Sequence, residues 1–458
     1  MVQARVVIAG VKSGSGKTTV AAGLMAALAR RGLQVQGYKV GPDYIDPGYH
    51  TAVTGRPSRN LDSFLLPEAT IRELYLRAAA TANIGIIEGV MGLYDGRAGS
   101  GAGSTAEVAR MLKAPVLLVL DAGSLAQSAA AMVMGYAGYD SGVHIAGVIL
   151  NRVAGERHKE ILQKAIEEAT GIPVVGCLER EAGLALPSRH LGLTPAVEMA
   201  ELDKVLDRLA HIAGEALDLD RIMTLAGGAE KLGAPERPLF APQPVTGRLP
   251  VAIAHDAAFN FYYRDALDYL ESRGACLLPF SPLTDARLPA GAAGLIIGGG
   301  FPEMFLPELA ANTTLHEDIR RKAAGGLPLY AECGGLMYLC RAIKDFDDRI
   351  WPMAGLVPAV CGMQKRLAGM GYREAATQGI SILGPAGLLV KGHEFHYSGL
   401  EVAEGHPWAY RLTENNQLEG YASGSVLASY IHLHWAGNPG AANNFLARCR
   451  AYARSLKK

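Results

Sequence analysis

Short β-type runs, most of them apolar, recur along the first half of the chain, and stretches with helical spacing separate them. The runs cover residues 6–9, 34–40, 84–87, 116–120, 145–150 and 172–177. Their length and β-branched content predict buried strands, and the alternation predicts an α/β fold with a doubly wound, mostly parallel sheet. From about 225 to 248 the pattern breaks, and Gly227, Gly228, Pro235, Pro238, Pro242 and Pro244 mark a linker. Apolar runs resume at 251–254, 295–297 and 327–331, again with α/β character. The expected organisation is a first domain over 1–224, a linker over 225–248 and a second α/β domain over 249–458.

Composition narrows the class. At 458 residues the chain exceeds one ordinary core, and 49% hydrophobic content is enough for large buried sheets. Lys plus Arg and Asp plus Glu balance at 44 each, which argues against a nucleic-acid or anionic-membrane partner. No apolar run reaches transmembrane length and no signal pattern precedes the first strand, so a cytoplasmic enzyme is expected. The six cysteines (Cys177, Cys276, Cys333, Cys340, Cys361 and Cys449) contain no CxxC pair, and so suggest neither a disulfide framework nor a zinc site.

The first candidate chemistry lies at 10–19, between the first strand and an alanine- and leucine-rich helix ending near Arg30. Strand, glycine loop and helix form the context of a phosphate-binding loop, although Val11 stands where a glycine is expected. Ser13, Gly14, Ser15, Gly16, Lys17, Thr18 and Thr19 are the expected ATP-binding residues: backbone N–H groups around phosphates, Lys17 on the outer ones, the Thr18 hydroxyl on Mg²⁺. Past the next strand, Asp43 and Asp46 flank Tyr44 and Ile45 between prolines, and either aspartate is placed to hold Mg²⁺ or orient a substrate. Glu88 ends a buried strand, the usual place for a second acid toward Mg²⁺. The glycine-rich loop after it contains Tyr94 and Asp95. Asn151 ends a later strand where an amide can read adenine or simply cap a turn.

In the second half, Cys333 sits between a buried strand and a helix, followed by Gly334 and Gly335. That is the pattern of a nucleophile elbow, with a helix start expected to lower the thiol pKa. Gly299, Gly300 and Gly334 are the candidate oxyanion donors, and His432 or His434 the candidate base.

Cys333 in its elbow with a later histidine resembles a class I glutamine amidotransferase domain. The resemblance implies release of ammonia from glutamine, with His432 as base and His434 as fallback. Most such domains carry a glutamate two residues after the histidine. His434 stands there, which implies a Cys–His dyad. Segments 39–47, 88–96, 186–193 and 392–398, in order and across both domains, resemble the cobyrinic acid a,c-diamide synthase family. The first domain also resembles dethiobiotin synthetase. The family implies ATP·Mg²⁺-dependent phosphorylation of corrinoid carboxylates and their amidation by ammonia. It implies Thr18, Asp43 and Glu88 at the metal and Lys39, Asp43, Tyr44, Asp46, Tyr94, Asp95 and Arg189 at the substrate, with Arg56 and Arg59 as further basic candidates. Nickel-sirohydrochlorin is an alternative substrate. Lys12 resembles the second lysine of partitioning ATPases, which reaches nucleotide across a dimer; a solvated lysine is the plain alternative. Lys12 also admits a homodimer and the competing reading of a non-enzymatic ATPase switch. The segment 392–398 is expected to have a structural or interdomain role.

Overall fold

The six β-type runs of the first half and a short seventh strand, Arg59–Leu61, align side by side, all parallel, in the first of two units that a computed structural model resolves, residues 1–239 and 240–458. The structure describes residues 4–97, 101–180, 188–189, 192–193, 199, 201–241 and 247–456. The strands of the first unit are β1 (Ala4–Gly10), β2 (Val35–Val40), β3 (Arg59–Leu61), β4 (Ile84–Glu88), β5 (Val116–Asp121), β6 (Ile145–Val153) and β7 (Val174–Glu179). Their order is β3-β2-β4-β1-β5-β6-β7, with β1 between β4 and β5. Because helices cover both faces, β1, β4 and β5 are apolar on both sides rather than alternating. Val6, Ile8, Leu24, Ile86, Leu117 and Ile149 join one core cluster below the carboxyl edge of the sheet.

The stretch expected to begin the linker is partly helical. Leu219–Gly227 forms a helix because Leu219, Ile222 and Ala226 pack into that same core, which outweighs the glycines that follow. The segment 186–193 lies mostly outside the described residues. Its described part is a two-stranded antiparallel pair, Ser188–Arg189 with Gly192–Leu193. The Arg189 side chain is outside the described residues.

The second unit carries a six-stranded sheet in the order Ala275–Phe280, Leu249–Ala254, Leu295–Ile297, Leu329–Glu332, Val426–Ser429 and Tyr421–Ser423. The first five are parallel and the last is antiparallel. Residues 340–433, where hydrophobic pattern predicted no elements, form two further sheets. One of them is wholly antiparallel and ends in the pair Leu389–His396 and His432–Leu433. Among the described residues no helix is long and apolar enough to cross a membrane.

Candidate active sites

The phosphate loop is built from the end of β1 and held from behind by β6. Gly16, at φ 96°, precedes the helix Lys17–Arg30, so Lys17, Thr18 and Thr19 form its first turn, where N–H groups lack intrahelical partners and favour an anion. Asn151 Nδ2 donates to the Ser15 carbonyl at 2.9 Å, Arg152 donates to the Gly14 carbonyl at 3.2 Å, and Tyr136 Oη to the Val11 carbonyl at 2.6 Å. A Cβ on Gly16 would run into the Asn151 amide, so both the left-handed backbone and the close approach require glycine there. The Asn151 amide is thus engaged by the loop, and its Oδ1 accepts from Arg152 N at 3.0 Å. Adenine reading by this side chain therefore needs these bonds to be exchanged. The Ser13, Gly14 and Lys12 positions are exposed. Lys12 enters the loop through its carbonyl, which accepts from Ser15 Oγ at 3.0 Å and Lys17 Nζ at 3.1 Å.

Burial and the nearby Lys39 charge lower the Lys17 pKa to about 8. The neutral form is therefore populated above that pH in the free protein, whereas a triphosphate favours the ammonium. ATP binding is expected to take up almost no proton at about pH 7 and close to one at about pH 9. Calorimetry in buffers of different ionisation enthalpy measures this. Zero uptake at the higher pH would remove Lys17 from the phosphates.

Beside the loop, three chain segments converge on Glu88, which is fully buried at the end of β4. Its Oε1 accepts from Thr18 Oγ1 at 2.6 Å and Lys39 Nζ at 2.8 Å, and its Oε2 is 2.7 Å from His50 Nε2. Lys39 also donates to Asp46 Oδ2 at 2.5 Å, and Thr18 Oγ1 lies 3.4 Å from that oxygen. Burial opposes ionisation of Glu88, but Lys39 and His50 outweigh it and hold its pKa well below the usual carboxylate range. Asp46 is pushed the other way by burial and by Asp43. The aspartate beside Thr18 is Asp46, whereas Asp43 was expected at the metal. Asp43 Oδ1 instead accepts from Ile45 N at 2.8 Å and Asp46 N at 3.1 Å, closing its own turn. Lys39, expected at the substrate, is 3% exposed and bridges the two acids. Thr18, Glu88 and Asp46 offer hard oxygen donors of the kind Mg²⁺ shares with phosphates. Among the described residues no group of three or more Asp, Glu, His or Cys is arranged to hold a metal ion.

The other substrate candidates are scattered. Tyr44 lies in the same turn as Asp43, half-buried. Tyr94 Oη donates to the Tyr136 carbonyl at 2.6 Å, and Asp95 Oδ2 accepts from Gly92 N at 2.9 Å, so both shape the loop after β4. Arg56 donates to Gln36 Oε1 at 3.1 Å, the Ala78 carbonyl at 3.0 Å and Thr81 Oγ1 at 2.9 Å. Gln36 is near the start of β2, so Arg56 ties the amino edge of the sheet and does not join the carboxyl-edge site. Arg59 lies on β3 opposite Tyr38.

In the second unit Leu329–Glu332 leads into Cys333, whose φ of 48° and ψ of −104° are those of a sharp elbow, followed by the short helix Gly334–Leu339. Its N–H donates to the Ser429 carbonyl at 2.7 Å, fixing the turn to the neighbouring strand. The side chain is 7% exposed. Burial, reinforced by Glu303, raises the thiol pKa against the Gly334 N–H, so the expected lowering by the helix start is outweighed. A base must therefore take the proton as the sulfur attacks.

The oxyanion candidates adjoin the elbow. A Cβ on Gly334 would lie 3.2 Å from Gly300 N, and one on Gly299 2.5 Å from His432 Cε1. At Gly300 a Cβ would strike the Ala258 carbonyl. Bare backbone at these positions is what lets the loop, the elbow and the imidazole meet.

The segment 392–398 turns out to be the wall of this same site. His393 pairs with His432 across the antiparallel ladder, and their rings stack at 4.9 Å and 22°. The Phe395 carbonyl is 4.0 Å from Cys333 Sγ. Glu394 accepts from Arg373 at 2.9 and 2.6 Å, and the His396 ring stacks on Tyr430 at 3.7 Å. Of the two candidate bases, His432 stacks on His393 and has Glu332 Oε2 3.5 Å from its Nδ1. His434 is fully buried, stacked on Tyr263 at 5.0 Å and lowered to about 3 by burial, so it stays neutral. Sequence reasoning missed His50, which has no local signal, and Glu332, whose signal is its place directly before the nucleophile.

Comparison with known proteins divides the chain in the same way. Residues 6–193 match a family model for the CobQ/CobB/MinD/ParA nucleotide binding domain, and residues 250–440 one for a CobB/CobQ-like glutamine amidotransferase domain. A cobyrinate a,c-diamide synthase of Dehalococcoides mccartyi (strain CBDB1) is 47% identical, covering 96% of this chain and 97% of its own. A hydrogenobyrinate a,c-diamide synthase of Streptomyces coelicolor is 44% identical, covering 97% of each. A cobyrinate a,c-diamide synthase of Listeria monocytogenes is 44% identical over 95% of this chain and 97% of its own.

Proposed function

The chain belongs to the cobyrinate a,c-diamide synthase family, glutamine-dependent amidating ligases of cobalamin biosynthesis, and on that footing we propose how its residues divide the reaction. In the second unit Cys333 Sγ attacks the side-chain carbonyl carbon of glutamine, and His432 takes the thiol proton and returns it to the departing ammonia. Water then hydrolyses the thioester to glutamate and restores the thiol. The N–H groups of Gly299, Gly300 and Gly334 face the developing oxyanion.

In the first unit the N–H groups of 13–19 and the Lys17 ammonium position the ATP phosphates against an acetate side chain of the macrocycle. Thr18 and Glu88, with Asp46 beside them, would hold Mg²⁺, which would supply charge neutralisation on the phosphates. His50 and Lys39 keep the Glu88 carboxylate ionised and aimed. The acetate carboxylate of the substrate attacks the terminal phosphorus, ADP leaves, and ammonia displaces phosphate from the acyl phosphate to give the amide. Repetition at the a and c positions gives the diamide.

What supports this reading is two candidate residue groups in one chain: Lys17 and Thr18 beside Glu88 in one unit, and the Cys333 elbow with His432 in the other. Cobyrinate and hydrogenobyrinate are the substrates named among the relatives, and nickel-sirohydrochlorin is not favoured. Phosphate release with ATP and glutamine, each macrocycle offered separately, tests the assignment. A rise with cobyrinate or hydrogenobyrinate is expected. A rise with nickel-sirohydrochlorin alone would transfer the chemistry to that substrate, and none with any would return the ATPase-switch reading.

A further inference from the structure

The position two residues after the base, where related domains carry an acid, holds the neutral His434. A buried imidazole that must accept a proton still needs a partner to fix its tautomer and to stabilise the cation that forms. The structure assigns this role to Glu332, the residue immediately before the nucleophile. We propose that its carboxylate accepts the Nδ1–H of His432 and so leaves Nε2 as the proton acceptor for the Cys333 thiol. This inference rests on the glutaminase reading of Cys333 and His432.

The geometry is specific. Glu332 Oε2 lies 3.5 Å from His432 Nδ1, with the two side chains 8% and 3% exposed. Its other oxygen is already engaged: Oε1 accepts from Tyr330 Oη at 2.6 Å and from Leu433 N at 2.8 Å. Those two bonds orient the carboxylate and turn Oε2 to the ring. They also make one carboxylate the link between the elbow strand, to which it is joined covalently, and the backbone of the residue following His432. The 3.5 Å separation exceeds the hydrogen-bond optimum, and contacts of this kind tighten when substrate is bound. Two other buried acids of this region are engaged elsewhere: Glu394 accepts from Arg373, and Glu419 accepts from Ser429 Oγ and Tyr430 N, both at 2.6 Å. On its open face the imidazole is stacked by His393, whose Nδ1 meets Tyr263 Oη at 3.0 Å. That stack holds the ring plane and leaves its rotation about the plane normal to Glu332. Glu332 is thus a positioning residue, acting on substrate only through His432.

The test is steady-state glutamine hydrolysis by the full chain, comparing wild type, Glu332→Gln and Cys333→Ala. The glutamine side chain can keep the Oε1 bonds but presents an amide N–H to Nδ1, which selects the wrong tautomer. A fall in kcat of about 10²- to 10⁴-fold is expected, with KM for glutamine within about threefold of wild type. A kcat within about threefold of wild type, or a loss carried by KM, would overturn the proposal. Activity surviving in Cys333→Ala would instead overturn the glutaminase reading on which it rests. A second readout needs no altered Glu332: ¹⁵N spectra of histidine-labelled protein, with His432 assigned through His432→Asn. A protonated Nδ1 and bare Nε2 are expected, and the opposite tautomer would refute the role even where Glu332→Gln fails to fold.

Discussion

Cys333→Ala is expected to lose glutamine-driven amidation by about 10³- to 10⁶-fold while ammonia-driven amidation stays within about threefold of wild type. The sulfur is the atom that bonds to the glutamine carbonyl, and no neighbour can substitute for it. Cys340 and Cys361 are fully buried with their thiol pKa raised by burial, Cys340 engaged with the Leu336 carbonyl at 3.3 Å and Cys361 with Tyr430 Oη at 3.4 Å. Losing one buried sulfur removes little packing, so the fold survives and the effect is chemical. The residues proposed to activate the carboxylate belong to the other unit, which is why exogenous ammonia rescues. Amide formation measured with saturating glutamine and then with ammonium chloride separates the cases. Equal loss with both nitrogen sources would sink the division of labour, and full activity with glutamine would remove Cys333 from the reaction.

Glu88→Gln is expected to show the reverse pattern: glutamine hydrolysis at Cys333 persists, while ATP-dependent amidation falls by at least about 10²-fold with either nitrogen source. The substitution keeps the shape and removes the charge on which Thr18, Lys39 and His50 converge. It also leaves buried Lys39 with Asp46 and, at 3.9 Å, Asp43 as its remaining acids, so a stability loss toward the lower end of about 3–5 kcal/mol accompanies the kinetic one. Since the Glu88 pKa is depressed, its stabilising contribution is complete at neutral pH and is lost only as pH falls through that depressed value. Urea unfolding at neutral pH reads the stability and phosphate release reads the turnover. Wild-type ATP turnover in a folded Glu88→Gln protein would move the metal role elsewhere.

Much of both sites was legible from the chain alone, because their key residues are consecutive. The phosphate loop, the acid ending β4, the elbow around Cys333 and the glycines at 298–300 each announce themselves within a few residues of a buried strand. Backbone geometry there is local: a glycine at φ 96° or a cysteine at φ 48° between strand and helix is a property of short sequence. The parallel sheet of the first unit followed from its apolar runs for the same reason. The two further sheets within 340–433 did not, since their strands are mixed in burial and polarity.

Partner choice is what tertiary structure decided. Asp43 and Asp46 are equivalent in sequence, and only the turn, which engages Asp43 with its own backbone, sends Asp46 to Thr18. Lys39 reads as a candidate for the substrate until β2 and β4 pair in register, Lys39 opposite Glu88, and bury it between acids. His393 and Glu332 stand far from His432 in the chain and reach it through strand pairing and side-chain direction. The sequence by itself determined which chemical groups are present and which of them sit on sharp turns at strand ends. Which group faces which was determined by register, burial and the choice of rotamer. Those depend on contacts between distant segments, each worth little until the whole core has formed.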